Sequence, residues 1–141
     1  MGAESITLTK LEIAEHQLER ALQLYLEESD YISAITLAGA SEEILGKILE
    51  KSGESHSLNE FVRACVGTGK IIFSEDWPPK LFADMANTFR NDLKHYKDGE
   101  SLTIPREAAT EILDRAIENH WKITGSETHY IRQFMEEEHG I

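Results

Sequence analysis

The chain has 141 residues, of which 14 are basic and 26 acidic, giving a net charge of −12. So acidic a surface repels phosphates over most of its area and excludes generic nucleic-acid backbone binding. A 40% hydrophobic content excludes wholesale disorder, and the longest nearly unbroken apolar stretch, residues 34–40, is far too short to span a bilayer.

The length suits one domain over residues 1–141, with residues 1–8 and 136–141 expected as flexible ends. The opening Met1-Gly2-Ala3-Glu4-Ser5 lacks the basic flank and apolar run of a signal peptide, and Gly2 is only a weak match to a myristoylation site. A lone Cys65 cannot close an intramolecular disulfide, so a reducing cytoplasm is the expected location. Residues 78–97 depart from the acidic trend. They hold Lys80, Arg90, Lys94 and Lys97 against Asp84 and Asp92, a local +2 that leaves −14 on the rest. That patch reads either as a phosphate-facing surface or as ordinary solvated helix charge.

A first helix is predicted over residues 9–28, where Leu11, Leu18, Leu22 and Tyr25 recur at helical spacing and Glu12, Glu15 and Glu19 fall off the stripe. Asp30 suits the N-cap of a second helix over residues 31–51. The first half of that helix is apolar nearly all round, which suits the centre of a bundle or a subunit interface. Its small residues Ala38, Gly39, Ala40 and Ser41 allow close backbone approach. Residues 58–66 read as a shorter helix, followed by a connection punctuated by Gly67 and Gly69. The Gly67-Thr68-Gly69-Lys70 run lacks the full spacing and trailing hydroxyl of a phosphate loop and reads as a turn.

Trp77-Pro78-Pro79 stops the chain and restarts it as a fourth helix over residues 79–96, with Phe82, Met85, Phe89, Leu93 and Tyr96 as its apolar stripe. Asp98-Gly99 ends it. Pro105 opens a fifth helix, buried along Ala108, Ile112, Leu113, Ala116, Ile117 and Trp121. Gly125 breaks that helix, Ser126 can cap a short last one, and residues 136–139 read as an exposed polar tail. The expected fold is therefore all-α, a bundle of about five to six helices.

Metal chemistry finds little support in the spacing. There is no His-Glu-x-x-His and no Cys pair, and a dimetal bundle needs two Glu-x-x-His segments where this chain offers one, Glu136 and His139. Asp92 and His95, three apart on one helix, suit a surface ion pair better than a metal site. Neither a metal nor a cofactor is expected.

The remaining constellation is Arg90-Asn91-Asp92-Leu93-Lys94-His95-Tyr96. An arginine followed four to six residues later by histidine is a weak pattern. Six Arg and six His in this chain make about one such spacing expected by chance. Indeed Arg115 with His120, and Arg132 with His139, share it. Context separates the three: Arg115 is followed by Ala116 within a buried stripe, Arg132 lies in the acidic tail, and only Arg90 carries a polar Asn91 and a Leu-Lys-His-Tyr run. Here the chain resembles the HEPN family (higher eukaryotes and prokaryotes nucleotide-binding domains), all-α bundles bearing this motif. The upstream Leu37-Ala38-Gly39-Ala40-Ser41-Glu42-Glu43-Ile44-Leu45-Gly46 is similar to the small-residue, Glu-bearing second helix of HEPN-like bacterial proteins. The resemblance spans roughly residues 10–124.

The resemblance implies a two-fold homodimer with a shared site. Residues five apart on a helix lie about 140° apart around its axis, so Arg90 and His95 would share a cleft only where two such helices cross. In catalytic members the site cleaves RNA without metal. His95 would then move a proton to or from the ribose 2′-hydroxyl, and Arg90 would stabilise charge on the phosphate. Asn91 would hold the geometry or contact phosphate, while Lys94, Tyr96 and Lys97 would contact substrate. Glu42 and Glu43 would tune His95 from behind, or stand as solvated charges. Partners implied are RNA or a nucleotide, and an antitoxin or other protein, with no membrane. The alternatives are a non-catalytic nucleotide-binding or protein-interaction module, and a plain helical scaffold.

Overall fold

A computed structural model describes residues 4–95 and 101–141. Tyr96 and Lys97, together with the Asp98-Gly99 stop, lie outside them. Seven helices follow in order: α1 (Lys10–Glu28), α2 (Tyr31–Lys51), α3 (Ser57–Phe73), α4 (Pro79–Ala86), α5 (Thr88–His95), α6 (Arg106–Thr124) and α7 (His129–His139). No strand occurs among the described residues, and no described helix is long and apolar enough to cross a membrane.

Local chemistry sets most helix ends. Thr9 and Glu12 form a reciprocal capping box at the start of α1, each side chain bonding the other's backbone N–H at 3.1 Å. Asp30 caps α2 by accepting from the Ser33 N–H at 3.1 Å, as its side chain and position predict. The two-residue link Ser29–Asp30 folds α2 back along α1. At the far end of the chain Thr128, rather than Ser126, accepts from the Ile131 N–H and caps α7.

α2 is the central helix, packed along both α1 and α6. Its near-uniform apolarity is explained by that double contact. Ala34, Ile35 and Ala38 are buried against Leu18, Leu22 and Tyr25 of α1 and Ile112, Leu113 and Ala116 of α6, and α7 adds Ile131 and Phe134. Each fully buried leucine, isoleucine or phenylalanine among these contributes about 1.5–3 kcal/mol, the alanines less. Ser41 donates its hydroxyl to the Ala14 carbonyl at 2.8 Å, fixing α2 to α1 inside the core.

Three elements differ from the sequence reading. α3 continues through Gly67 and Gly69 to Phe73 instead of ending near Val66. Gly69 is there for proximity: a Cβ on it would lie 2.6 Å from the Trp77 ring. The expected single helix over residues 79–96 is broken at Asn87, whose buried side chain is held from α6. This break raises the helix number to seven. Finally, residues 136–139 form the last turn of α7, and Glu138 is no solvated tail residue. Its side chain is 10% exposed and accepts a bidentate pair from Arg106 at 2.9 and 3.0 Å.

Glu138 also accepts from the Tyr25 hydroxyl at 2.6 Å, with Thr110 at 3.0 Å from the same oxygen. Burial, and then the bond to the Glu138 carboxylate, push the Tyr25 phenol up to about 12. A phenol held protonated in the fold stabilises it fully below the unfolded value of about 10 and ceases to do so as pH rises through the folded value. Unfolding by urea should therefore become easier between about pH 10 and 12, more steeply in wild type than in Tyr25→Phe. Titration by phenolate absorbance should show the corresponding late phenol vanish in that variant.

Candidate functional site

The motif helix α5 is held by its apolar side. Phe89 and Leu93 pack against the core cluster, which turns Arg90 sideways onto α2 and leaves Lys94 and His95 exposed. Asn91 is half-buried, and its N–H continues the helix by donating to the Asn87 carbonyl at 2.9 Å.

Arg90 lies across Gly39. A Cβ at Gly39 would stand 2.4 Å from Arg90 Cδ and 3.3 Å from Ile112 Cδ1, so the small-residue segment of α2 serves as a seat for this side chain. The guanidinium Nη1 donates to the Gly39 carbonyl at a long 3.4 Å. Its buried Nε has no hydrogen-bond partner among the described residues.

Arg90 thus borders a cleft of about 150 Å³ with Glu42, Glu43, Gly46, Lys47, Glu50, His56, Leu58 and Asn119. Hollows that enclose a small organic ligand run to ~300–1,000 Å³, so a single chain offers no room here for a whole nucleotide. The charges also run the wrong way for phosphate. Three carboxylates line the cleft with Arg90 and Lys47, although Glu42 and Glu50 are each engaged by neighbours.

Glu42 does not support the motif. It is 4% exposed and receives Arg115 through two bonds, Nε at 2.8 Å and Nη2 at 3.1 Å. Arg115 further donates to Asn87 Oδ1 at 3.0 Å and to the Ala86 carbonyl at 3.2 Å. This is the contact that breaks the fourth helix. Glu43, in contrast, is exposed. Of the sequence-predicted residues the structure brings Arg90, Glu42 and Glu43 to one cleft; His95 and Lys94 lie outside it, and Tyr96 and Lys97 are not among the described residues.

The sequence reading missed His56 and Asn119. His56 is buried and caps α3: Nδ1 accepts from the Asn59 N–H at 3.2 Å, and Nε2 lies 2.8 Å from Glu50 Oε1. Because Nδ1 accepts, the ring proton sits on Nε2 and is donated to Glu50, which fixes the tautomer. Asn119 is fully buried; its Oδ1 accepts from the Ser57 N–H at 2.8 Å, joining α6 to the start of α3. Neither had a periodicity signal. His56 does precede Ser57-Leu58-Asn59-Glu60, a sequence in which a capping role could have been read. Among the described residues, no three His, Cys, Asp or Glu side chains gather as a metal-ligand set.

Compared with known proteins, the chain matches no family model, no curated protein and no solved structure.

The seat at Gly39 makes a sign prediction. Gly→Ala inside a helix normally stabilises by about 1 kcal/mol, but here overpacking against Arg90 should destabilise by about 1–3 kcal/mol. In an Arg90→Ala background the same Gly39→Ala change should lose most of that penalty. Urea unfolding of the four-member cycle reads the coupling; additive effects would mean that Arg90 does not rest on Gly39.

Proposed function

We propose that this chain is a HEPN-like, non-catalytic interaction module that pairs with a second copy through the α3–α4 hairpin. The observation that carries the reading is the state of that hairpin's apolar side chains. Ile71 is 84% exposed, Ile72 67%, and Phe61, Phe73, Leu81 and Met85 are exposed as well. Phe61, Cys65, Thr68 and Ile72 recur along one stripe of α3, Leu81 and Met85 along one stripe of α4, and Phe61 and Met85 border one groove of about 480 Å³. Exposed apolar surface on this scale marks an interaction site.

Charge supports a second copy as the occupant. Residues 57–86 carry three basic and four acidic side chains, a net −1, while the rest of the chain holds −11. Two copies meeting on this hairpin avoid the like-charge repulsion that they would meet elsewhere. A cytoplasmic location fits the free, half-buried Cys65. Light scattering at about 0.1 mM should give the mass of two chains for the wild type and of one chain for Ile72→Glu and Leu81→Glu. Both sites are exposed, so circular dichroism should be unchanged. A monomeric wild type, or variants that still pair, would refute the reading.

A second reading is supported by the Arg90 Nε, which has no partner among the described residues, and by the presence of Asn91, Lys94 and His95 on the same short helix. This is a metal-independent ribonuclease whose site is completed by the partner's α5. On that reading the wild type cleaves RNA in EDTA to 2′,3′-cyclic phosphate ends, and Arg90→Ala and His95→Ala each lose about 100-fold or more. Absence of cleavage, or equal cleavage by both variants, leaves the non-catalytic module.

A further inference from the structure

α6 and α7 flank a further groove, whose lining shares no residue with the motif cleft and adjoins the hairpin groove at Asp114. Its volume is about 460 Å³, inside the ~300–1,000 Å³ range of enclosed ligand sites. The floor is apolar, with Ile117, Ile131 and Trp121. The two isoleucines belong to the core cluster, but Trp121, expected on the buried stripe of its helix, is 55% exposed, large aromatic surface left in water at the edge of a hollow. The rim is acidic, formed by Asp114, Glu118 and Glu127. Asp114 is bonded by His139 at 2.7 Å and Glu127 by Arg132 at 3.2 Å, while Glu118 accepts from the Ser57 hydroxyl at 2.9 Å on one oxygen and stands 3.6 Å from Lys122 on the other. Each carboxylate keeps acceptor capacity for a further cation.

We infer that this groove docks a basic amphipathic helix from a partner protein. A trough between two helices takes a third helix by its apolar face, and the described residues present no sheet edge for an added strand. Trp121 supplies an aromatic anchor of the kind that dominates interface energetics. Three rim carboxylates select lysine or arginine on the flanks of the incoming helix. A second copy of this −12 chain would bring like charge to an acidic rim, so the groove calls for a chemically different partner from the near-neutral α3–α4 face.

The test uses a fluorescein-labelled helical peptide of about 18 alternating-face leucine and lysine residues, titrated with the full chain and read by anisotropy. Any acidic protein attracts such a peptide weakly, so the variants decide. Trp121→Ala should weaken binding about tenfold or more, as should Glu118→Gln with Glu127→Gln. The equal charge change Glu4→Gln with Glu54→Gln, both exposed and outside the groove, should weaken it less than about twofold. A control peptide with every lysine replaced by glutamate should not bind. No binding at up to ~1 mM would overturn the inference, as would equal losses in the groove and remote pairs, or indifference to Trp121→Ala. Loss of self-association in Trp121→Ala would assign the groove to a second copy and overturn it likewise. Ile72→Glu should leave peptide affinity unchanged, which separates this groove from the proposed self-association.

Discussion

The Glu42–Arg115 ion pair is the contact on which the arrangement of the motif depends. It joins the central helix α2 to α6, and both partners are nearly removed from water, with side chains 5% and 12% exposed. Desolvating two ions costs several kcal/mol each, and only good geometry with further hydrogen bonds offsets it. Those further bonds go to Asn87 and Ala86. They hold Asn87 at the joint between α4 and α5, where the amphipathic segment divides into two short helices. Beyond that joint, Phe89 and Leu93 pack on the core and so turn Arg90 onto Gly39 and leave His95 facing solvent.

Around that pair the molecule divides into a well-packed body and a lightly attached hairpin. α1, α2, α6 and α7 contribute nearly all of the core, with Phe134, Leu22 and Leu113 entirely buried. α3 buries only Ser57 and Gly69, and α4 only Phe82. The start of α3 is nevertheless fixed, since Asn119 and Glu118 bond Ser57 and His56 bonds Glu50. The hairpin is thus a positioned platform whose apolar faces have little of their own chain to pack against, the arrangement expected of an element that gains its stability from association.

The electrostatics differ from one part of the surface to another. Net charge is concentrated outside the hairpin, and the motif cleft itself mixes carboxylates with Arg90 and Lys47. A single chain therefore presents no phosphate-selective site at the motif. Among the described residues it presents a near-neutral apolar hairpin face and an apolar groove with an acidic rim, surfaces of different charge.

Much was legible without coordinates because it is local. Hydrophobic period placed α1, and period with the Asp30 cap placed α2, to within a residue, since both signals act over three or four positions; the Thr9–Glu12 capping box was equally local but was not read. Pro79 and Pro105 marked the starts of α4 and α6 for the same reason. The all-helical class, the central α2 and the seat of small residues upon it follow from side-chain size and periodicity. Tertiary structure alone decided what was paired across the chain. Gly69 looked like a turn because the Trp77 ring that requires it lies eight residues on, and Glu42 looked available to the motif because Arg115 lies 73 residues away. Arg115 itself seemed a chance match within an apolar stripe, Glu138 a tail residue. Sequence determines which segments form helices, since that free energy is settled among near neighbours. Which charges are consumed in holding those helices together is settled by burial, and burial exists only once the whole chain has folded.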